Sequence, residues 1–366
     1  MNSLFRGLIV GIVSIFCVIG CTDSGSSGGT SPIADTGGKK RLILLTNTFT
    51  PFWSAGRVGV ETFAKEYLGE TDLIATLEAN DGTVKGQIDK LRQYGTQNDV
   101  AGVAVSVTDA DNAALADEMR KLRDKGVFVL TVDSDLDPKK FRDARYAYLG
   151  TNNVFGGEML GRCAKILRPD GGGYVTFVGQ SGAQNAIERI SGVGMGAGEK
   201  FKKLDSMSDE GDRSRARENV RNAIRNHAEL NCLAGIWSYN APAIVDVVKE
   251  LKKREEMAVV CFDAEPQAIR HLENGMIDAL VVQNPYQMGY QSMKLLAALV
   301  QDDKKTIQEL LPDYGKPDGD IIDTGIKVIA PDKETPLKAE QFGESVEFQT
   351  VGTFRKWLDQ HNLKGS

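Results

Sequence analysis

Short, continuous apolar runs alternate along the chain with longer segments of helical periodicity, beginning at residue 41. Continuous apolar runs are typical of strands buried on both faces, and apolar positions three and four residues apart are typical of helices that cover a sheet. Their alternation predicts βαβ units with parallel sheets. The predicted strands are residues 41–45, 72–77, 100–107, 127–132, 174–178, 233–237, 257–262, 279–282 and 325–329. The predicted helices are residues 53–69, 84–95, 111–125, 153–168, 185–203, 213–228, 241–254, 265–274 and 286–301.

The number of βα units indicates two lobes rather than one. A single sheet in a small domain carries fewer strands than this series, and a chain of 366 residues exceeds the usual length of one domain. We therefore predict an α/β protein of two doubly wound parallel-sheet lobes, with a division near residue 150. After Pro331 the chain is polar and irregular, with a short predicted helix at residues 351–358.

The first 40 residues have the pattern of a lipoprotein leader followed by a linker. A single cation, Arg6, precedes an apolar run at residues 7–19, and the run ends in Gly20 and Cys21. This pattern predicts a signal peptide at residues 1–20, with a small residue before the cysteine whose thiol takes the lipid. An uncleaved N-terminal anchor is the alternative. Residues 21–40 are rich in Ser, Gly and Thr, which predicts a flexible linker to the membrane.

Charge and cysteine usage narrow the classes of function. The net charge of −6 offers no basic surface for phosphates, so nucleic acid is not an expected partner. Beyond the leader the cysteines are Cys163, Cys232 and Cys261, which favours buried unpaired thiols, although a bond between the last two remains open. The histidines are too scattered to predict a metal site, and no cofactor is expected.

Polar and aromatic residues follow nearly every predicted strand. In parallel sheets, ligands bind beyond the carboxyl ends of the strands. Amides and carboxylates match the vicinal hydroxyls of a sugar, and aromatic rings cover its apolar face. Each residue alone is equally compatible with a helix cap or a turn, but together they predict a binding cleft. The segments concerned are residues 48–53, 106–109, 133–134, 179–180, 238–240, 262–263 and 283–284.

An ordered series of these motifs resembles the periplasmic sugar-binding proteins of ABC transporters, of the ribose-binding type. The resemblance covers residues 41–330. Its motifs are Thr50-Pro51-Phe52-Trp53-Ser54, Val107-Thr108-Asp109-Ala110, Thr131-Val132-Asp133, Gly150-Thr151-Asn152-Asn153 followed by Gly156-Gly157, Ile187-Glu188-Arg189, Tyr239-Asn240-Ala241, Val260-Cys261-Phe262-Asp263 and Val282-Gln283-Asn284-Pro285.

The resemblance implies two lobes that close on a solute about crossover strands near Gly150, Gln283 and Thr324. The N-terminal lobe would comprise residues 41–150 and 284–323, and the C-terminal lobe residues 151–283 and 324–366. Phe52 and Trp53 would sandwich a sugar ring. The expected ligand-binding residues are Thr50, Phe52, Trp53, Ser106, Asp133, Ser134, Arg189, Asn240, Asp263 and Gln283.

Three positions depart from the family pattern and bear on the ligand. Thr50 and Ser106 stand where the family often has Asn, and Ser134 stands where it often has Arg. Shorter hydroxyls predict a larger pocket with one cation fewer, so we expect a larger sugar, a polyol or a derivatised sugar rather than ribose.

The expected function is therefore that of a monomeric, lipid-anchored binding protein in the periplasm or at the cell surface. It would deliver a sugar to an ABC permease or, alternatively, present it to a membrane sensor. An enzyme is not expected, although Asp133 and Asp263 can be imagined as a glycosidase pair. The glycine-rich stretch at residues 192–197 matches a relaxed dinucleotide fingerprint, but it lies within a helical pattern and predicts close helix packing instead.

Overall fold

The computed structural model describes residues 37–50 and 52–365. The predicted signal peptide at residues 1–20, the predicted lipid attachment at Cys21 and most of the predicted linker lie outside the described residues. Within the described residues, no helix is both long and apolar enough to cross a bilayer.

Strands and helices alternate along most of the described chain. The strands are β1 Lys40–Leu45, β2 Leu73–Glu78, β3 Val100–Val105, β4 Phe128–Val132, β5 Tyr148–Gly150, β6 Gly172–Val178, β7 Phe201–Ser208, β8 Leu230–Gly235, β9 Ala258–Phe262, β10 Ala279–Val282, β11 Ile321–Asp323, β12 Lys327–Ala330 and β13 Glu347–Thr350. The helices are α1 Phe52–Tyr67, α2 Val84–Thr96, α3 Ala113–Asp124, α4 Pro138–Phe141, α5 Asn153–Leu167, α6 Gln184–Ala197, α7 Arg213–Asn226, α8 Asn240–Glu250, α9 Pro266–Glu273, α10 Pro285–Val300, α11 Lys304–Leu310 and α12 Val351–Gln360.

The described strands form two sheets with the same winding. The first sheet has the order β11-β5-β4-β3-β1-β2 and the second the order β13-β12-β10-β9-β8-β6-β7. The first five strands of each sheet, in chain order, therefore lie in the order 2-1-3-4-5 of doubly wound folds. Neighbouring strands are parallel, except that β12 runs antiparallel to β10. The prediction of two doubly wound α/β lobes is confirmed.

Burial on both faces explains why the strands read as continuous apolar runs. In β1, Leu42 and Leu44 pack into one core on one face of the first sheet, whereas Ile43 and Leu45 pack into a second core on the other face. In β9 of the second sheet, Val259 and Val260 divide in the same way between two further cores. Alternate side chains of a strand point to opposite faces, so a sheet covered twice needs apolar residues at every position.

Three connections cross between the two sheets in the part of the chain that the structure describes. They follow β5, β10 and β11. The first and third are joined where the amide of Thr324 donates to the carbonyl of Gly150 over 2.8 Å. Near the same place the buried guanidinium of Arg145 binds both Asp135, at 2.7 Å, and Asp320, at 2.6 Å. These contacts attach the short strand β11 to the first sheet, far along the chain from its neighbours.

The predicted helix at residues 185–203 is too long. Helix α6 ends at Ala197, Gly198 follows with a φ of +74°, and β7 begins at Phe201. Strand β7 lies at the edge of its sheet and is mostly polar, so it lacks the continuous apolar run of a central strand. The strands β5, β11 and β13 were also missed: β5 and β11 have only three residues each, and β11 and β13 are partly exposed, so none of them forms a continuous buried apolar run of four residues. The predicted short helix near the C-terminus is present as α12.

Two structural predictions about small residues are confirmed. A methyl group added at Gly192 or Gly196 would overlap backbone carbonyl oxygens of α5, so these glycines allow α5 and α6 to pack closely. The stretch is therefore a helix contact rather than a dinucleotide site. Cys163, Cys232 and Cys261 are all free and buried.

Candidate functional site

A cavity of about 420 Å³ lies between the two lobes, at the carboxyl ends of the strands. The loops after β1, β2 and β4 contribute its wall from the first lobe. The loops after β6, β7, β8 and β9 contribute the facing wall, and Gln283 adds a side chain from the second crossover. A parallel sheet directs these loops and the following helix N-termini to one edge, where ligands of such folds bind.

Two aspartates occupy equivalent places on the two sides of the cavity. Asp133 directly follows β4 and Asp263 directly follows β9, the fourth strand in chain order of each lobe. Both have a φ of +63°, a left-handed conformation that Asp tolerates better than most residues. The repeated backbone turn presents one carboxylate from each lobe to the same cavity.

Arg189, in the first half of α6, lines the same cavity as these carboxylates and is only 1% exposed. Its Nε donates to Oδ1 of Asn153 over 2.9 Å, and its Nη1 donates to the carbonyl of Ile236 over 3.2 Å. The guanidinium lies 4.4 Å from the ring centre of Phe262. Its Nη2 is 3.9 Å from Oδ1 of Asp133 and has no hydrogen-bond partner among the described residues. The cation is thus held rigidly, with one donor directed at the site.

Asp133 and Asp263 form the floor of the cavity, and burial has the largest effect on their pKa values. It raises the pKa of Asp263 to about 7, although Arg189 and the amide of Gln283, which donates to Asp263 over 2.9 Å, both favour the ionised form. Burial also raises the pKa of Asp133, against the opposing effects of Arg189 and of the hydroxyl of Ser106. A low-polarity site disfavours charge unless a partner compensates for lost hydration. The carboxylates therefore gain from any ligand that donates hydrogen bonds to them.

Aromatic side chains border the cavity from both lobes. Phe52 comes from the first lobe, and Trp237 and Tyr239 come from the loop after β8. The indole nitrogen of Trp237 donates to Oδ1 of Asn185 over 3.3 Å, which orients its ring. Phe49 also lines the cavity and is 83% exposed. The wall thus combines flat apolar faces with buried polar groups, the combination that sugar rings require.

A buried acid supports the wall around Tyr239. Asp209 accepts hydrogen bonds from the hydroxyl of Tyr239, from Nδ2 of Asn240 at 2.9 Å and from the amide of Gly211 at 2.9 Å. These bonds fix the loop after β7 against the loop after β8. Burial raises the pKa of Asp209, whereas the groups that donate hydrogen bonds to it act to lower this pKa.

Six of the ten predicted ligand-binding residues line the cavity. They are Thr50, Phe52, Asp133, Arg189, Asp263 and Gln283.

The structure does not bring the other four to the cavity wall. Trp53 is buried in the first-lobe core, with its ring edge-on to Phe52 and its indole nitrogen bound to Asn47, so the two rings are not placed to sandwich a sugar. Ser106 lies behind Asp133 and donates to it over 3.1 Å, and Ser134 is fully buried. Asn240 is turned toward Asp209 behind the loop. The shorter side chains at 106 and 134 therefore do not widen the wall directly.

Several lining residues were not predicted. Trp237 is the last residue of a predicted strand, and its place in an apolar run indicated a core residue rather than a ligand-binding one. Asn185 stands one helical turn before Arg189, on the same face of α6, and that spacing was a usable signal. Asp81 follows β2, and Glu210 and Arg213 follow β7. The loop after β7 could not be found because β7 itself was missed.

Within the described residues, no cluster of three or more His, Cys, Asp or Glu side chains is placed to hold a metal ion.

Comparisons with known proteins agree with this architecture. Residues 42–305 match the periplasmic binding protein domain. The D-allose-binding periplasmic protein of Escherichia coli K12 is 22% identical over 282 residues, which are 74% of this chain and 88% of that protein. The ribose import binding protein RbsB of Salmonella typhimurium is 21% identical over 270 residues, or 73% of this chain and 86% of that protein.

A solved structure shows the same fold. It is an ABC transporter solute-binding protein from Burkholderia graminis in complex with D-arabinose, with a TM-score of 0.70 and 24% identity, covering 81% of this chain and 96% of that one. The family match spans well over half of the sequence and includes both lobes. The chain therefore belongs to the periplasmic binding protein family.

Proposed function

We propose that this protein is an extracytoplasmic lipoprotein that captures a small sugar or sugar derivative between its two lobes and delivers it to an ABC permease. One observation carries the proposal. Asp133, Arg189 and Asp263 meet, buried, at the floor of an interlobe cavity that Phe52 and Trp237 border. Buried acceptors beside a rigid donor match sugar hydroxyls, and aromatic faces match the C–H surface of the ring.

Two unpartnered atoms indicate where hydroxyl groups would bind. The Nη2 atom of Arg189 and the Oε1 atom of Gln283 are buried without a hydrogen-bond partner in the described part of the chain. An unmet buried polar group costs about 1–3 kcal/mol. Ligand hydroxyls that accept from Nη2 of Arg189 and donate to Oε1 of Gln283 would remove this cost, so both atoms favour a polyhydroxylated ligand.

The predicted residues then divide into two roles. Thr50, Phe52, Asp133, Arg189, Asp263 and Gln283 would contact the ligand, together with Trp237. Trp53, Ser106 and Asn240 would act indirectly, because each binds a neighbour that lines the wall or supports it. Ser134 is fully buried and does not line the cavity.

Closure of the lobes would follow from the crossovers. We propose that residues 41–150 with 284–323 move as one body, and residues 151–283 with 324–366 as the other. Gln180 of the second lobe already reaches the carbonyl of Gly82 in the first, at 3.4 Å. Closing on a ligand would exclude water from the carboxylates, which strengthens their hydrogen bonds.

The proposed extracytoplasmic location and the proposed ABC permease partner are supported by the sequence and by the family. The pattern before Cys21 supports lipid attachment outside the cytoplasm, and residues 22–40 would tether the lobes to the membrane. The names of the relatives support transport, since one binds D-allose in the periplasm and another serves ribose import.

The test is a thermal-shift screen of the purified protein over monosaccharides, polyols and amino sugars, followed by calorimetric titration of each hit. We expect a hit to raise the melting temperature, because a ligand that binds only the folded state stabilises it. Trp237→Ala should weaken binding by about 1–3 kcal/mol through lost burial against the sugar ring. Trp357→Ala is the matched control, because Trp357 lies on α12 and does not line the cavity. Equal affinities of the two variants, or turnover of a glycoside by the native protein, would contradict the proposal.

A further inference from the structure

We propose that the cleft contains a second polar subsite, formed by Asp81, Glu210 and Arg213, and that its ligand is a disaccharide rather than a single sugar ring. This inference rests on the proposed function, because it assigns the size of the ligand to the same cleft. The new subsite lies at the end of the cavity opposite Asp133 and Asp263.

The sheet order separates the two ends of the cavity. In the first sheet Asp133 follows β4 and Asp81 follows β2, with β3 and β1 lying between those strands. In the second sheet Asp263 follows β9 and Glu210 follows β7, again with two strands between them. Three strand spacings amount to about 14 Å. A pyranose ring with its hydroxyls spans roughly half of that, given bonds of about 1.5 Å.

The volume of the cavity agrees with this length. A cavity of about 420 Å³ has room for roughly 14 water molecules of the size that they have in the liquid. The ring and hydroxyls of one hexose displace only about half as much at ordinary packing density. A hexose bound at Asp133 and Asp263 would therefore leave the outer end of the cavity to solvent.

The volume that a single hexose would leave unfilled is not explained by an open arrangement of the two lobes. Gln180 and Gly82 are 3.4 Å apart across the cleft, and Arg189 of the second lobe is 3.9 Å from Asp133 of the first. The two walls are thus in contact beside Asp81, where a second ring would replace the long hydrogen bond of Gln180, and are close to an ion pair at Asp133. The length of the cavity comes from the spacing of the strands, which lobe closure does not change.

The outer end has side chains suited to neutral hydroxyl groups. Asp81, Glu210 and Arg213 are exposed, in contrast to the buried carboxylates of the floor. Glu210 accepts a hydrogen bond from the hydroxyl of Ser208 at 2.7 Å, and Asp81 accepts one from the hydroxyl of Thr83 at 2.8 Å. The guanidinium of Arg213 has no hydrogen-bond partner among the described residues and lies 6.0 Å from the ring centre of Tyr239. Two acceptors and one donor that line the same cavity suit hydroxyls, which both donate and accept.

The loop that carries Glu210 and leads to Arg213, the first residue of α7, is firmly held. The buried carboxylate of Asp209 binds the amide of Gly211 and the side chains of Tyr239 and Asn240, so it links the loop after β7 to the loop after β8. Glu210 itself adopts a φ of +54° within this loop. A held loop reduces the entropy that is lost when a ligand binds, which favours a specific subsite over a solvated rim.

The test is isothermal titration of the full-length protein with matched sugars. The monosaccharides are glucose, galactose and allose, and the disaccharides are maltose, cellobiose, lactose and trehalose. We expect one disaccharide to bind at least about tenfold more tightly than its constituent monosaccharide, a difference of about 1.4 kcal/mol. Glu210→Gln and Arg213→Ala should remove most of this advantage, because they should lower disaccharide affinity more than monosaccharide affinity. Arg215→Ala is the matched control, since Arg215 is exposed on the same helix and does not line the cavity.

Each outcome bears on a different claim. A monosaccharide that binds as tightly as every disaccharide containing it overturns the second subsite and leaves the proposed function standing. A disaccharide advantage that survives in both variants also overturns this subsite. If none of the sugars binds, and the wider screen finds none, the proposed function fails together with the inference.

Discussion

Replacing Asp263 by Asn tests whether the cavity floor holds a carboxylate that is unfavourable when ionised. Asp263 is 3% exposed, and burial raises its pKa to about 7 from an ordinary value of 3.8. Asn has nearly the same shape and keeps an oxygen that can accept from Gln283, whose Nε2 lies 2.9 Å from Oδ1 of Asp263. The substitution therefore removes the titration with little change in packing.

The sign of the effect follows from proton binding. Between pH 4 and pH 7 the unfolded chain has released the proton of Asp263, whereas the folded protein retains it. Stability therefore falls as the pH rises through this interval and levels off above the folded pKa. The gap between 3.8 and about 7 corresponds to about 4 kcal/mol at most.

Urea denaturation of the ligand-free protein at pH 5 and pH 8 measures this contribution. Other buried acids, Asp133 and Asp209 among them, also have raised pKa values, so the native protein is compared with the variant at each pH. Asp263→Asn should gain stability relative to the native protein on going from pH 5 to pH 8. Asp170→Asn, which removes an exposed carboxylate, is the control and should show no such gain. Parallel pH profiles for native protein and Asp263→Asn would refute the assignment of a raised pKa to this group.

Two further predictions concern the packing of the second lobe and the anchor. Gly196→Ala should lower the free energy of unfolding by about 1–3 kcal/mol, because its methyl group would overlap a carbonyl oxygen of α5. Gly194→Ala, at an exposed position of the same helix, is the control and should cost less. Equal losses of stability in urea denaturation would argue against the close contact. Cys21→Ser should move the protein from the membrane fraction to the soluble fraction, since the substituted position lacks the thiol that takes the lipid; retention of the variant in washed membranes would disprove lipid attachment at this residue.

The site was predictable where a single strand end determined it. Asp133 and Asp263 each directly follow a buried apolar strand, so position along the chain alone placed them at the edge where ligands bind. Trp53 and Trp237 show the limit of this reasoning. Trp53 follows the first strand, yet its ring packs into the core, whereas Trp237 ends a predicted apolar run and borders the cavity. The direction in which a ring points depends on the neighbours it packs against, and those neighbours come from distant segments.

The sequence by itself determined the elements and the class of fold, because strands covered on both faces must be apolar at every position and the helices must carry an apolar stripe. It determined the paired aspartates for the same local reason. Only the tertiary structure decided which polar residues meet across the cleft. Edge strand β7 is polar and leaves no apolar signal, yet its loop supplies Glu210 and Arg213 to the wall. The contact of Gln180 with Gly82 joins residues 98 positions apart, and such pairings are set by how two sheets are oriented rather than by any property of either segment.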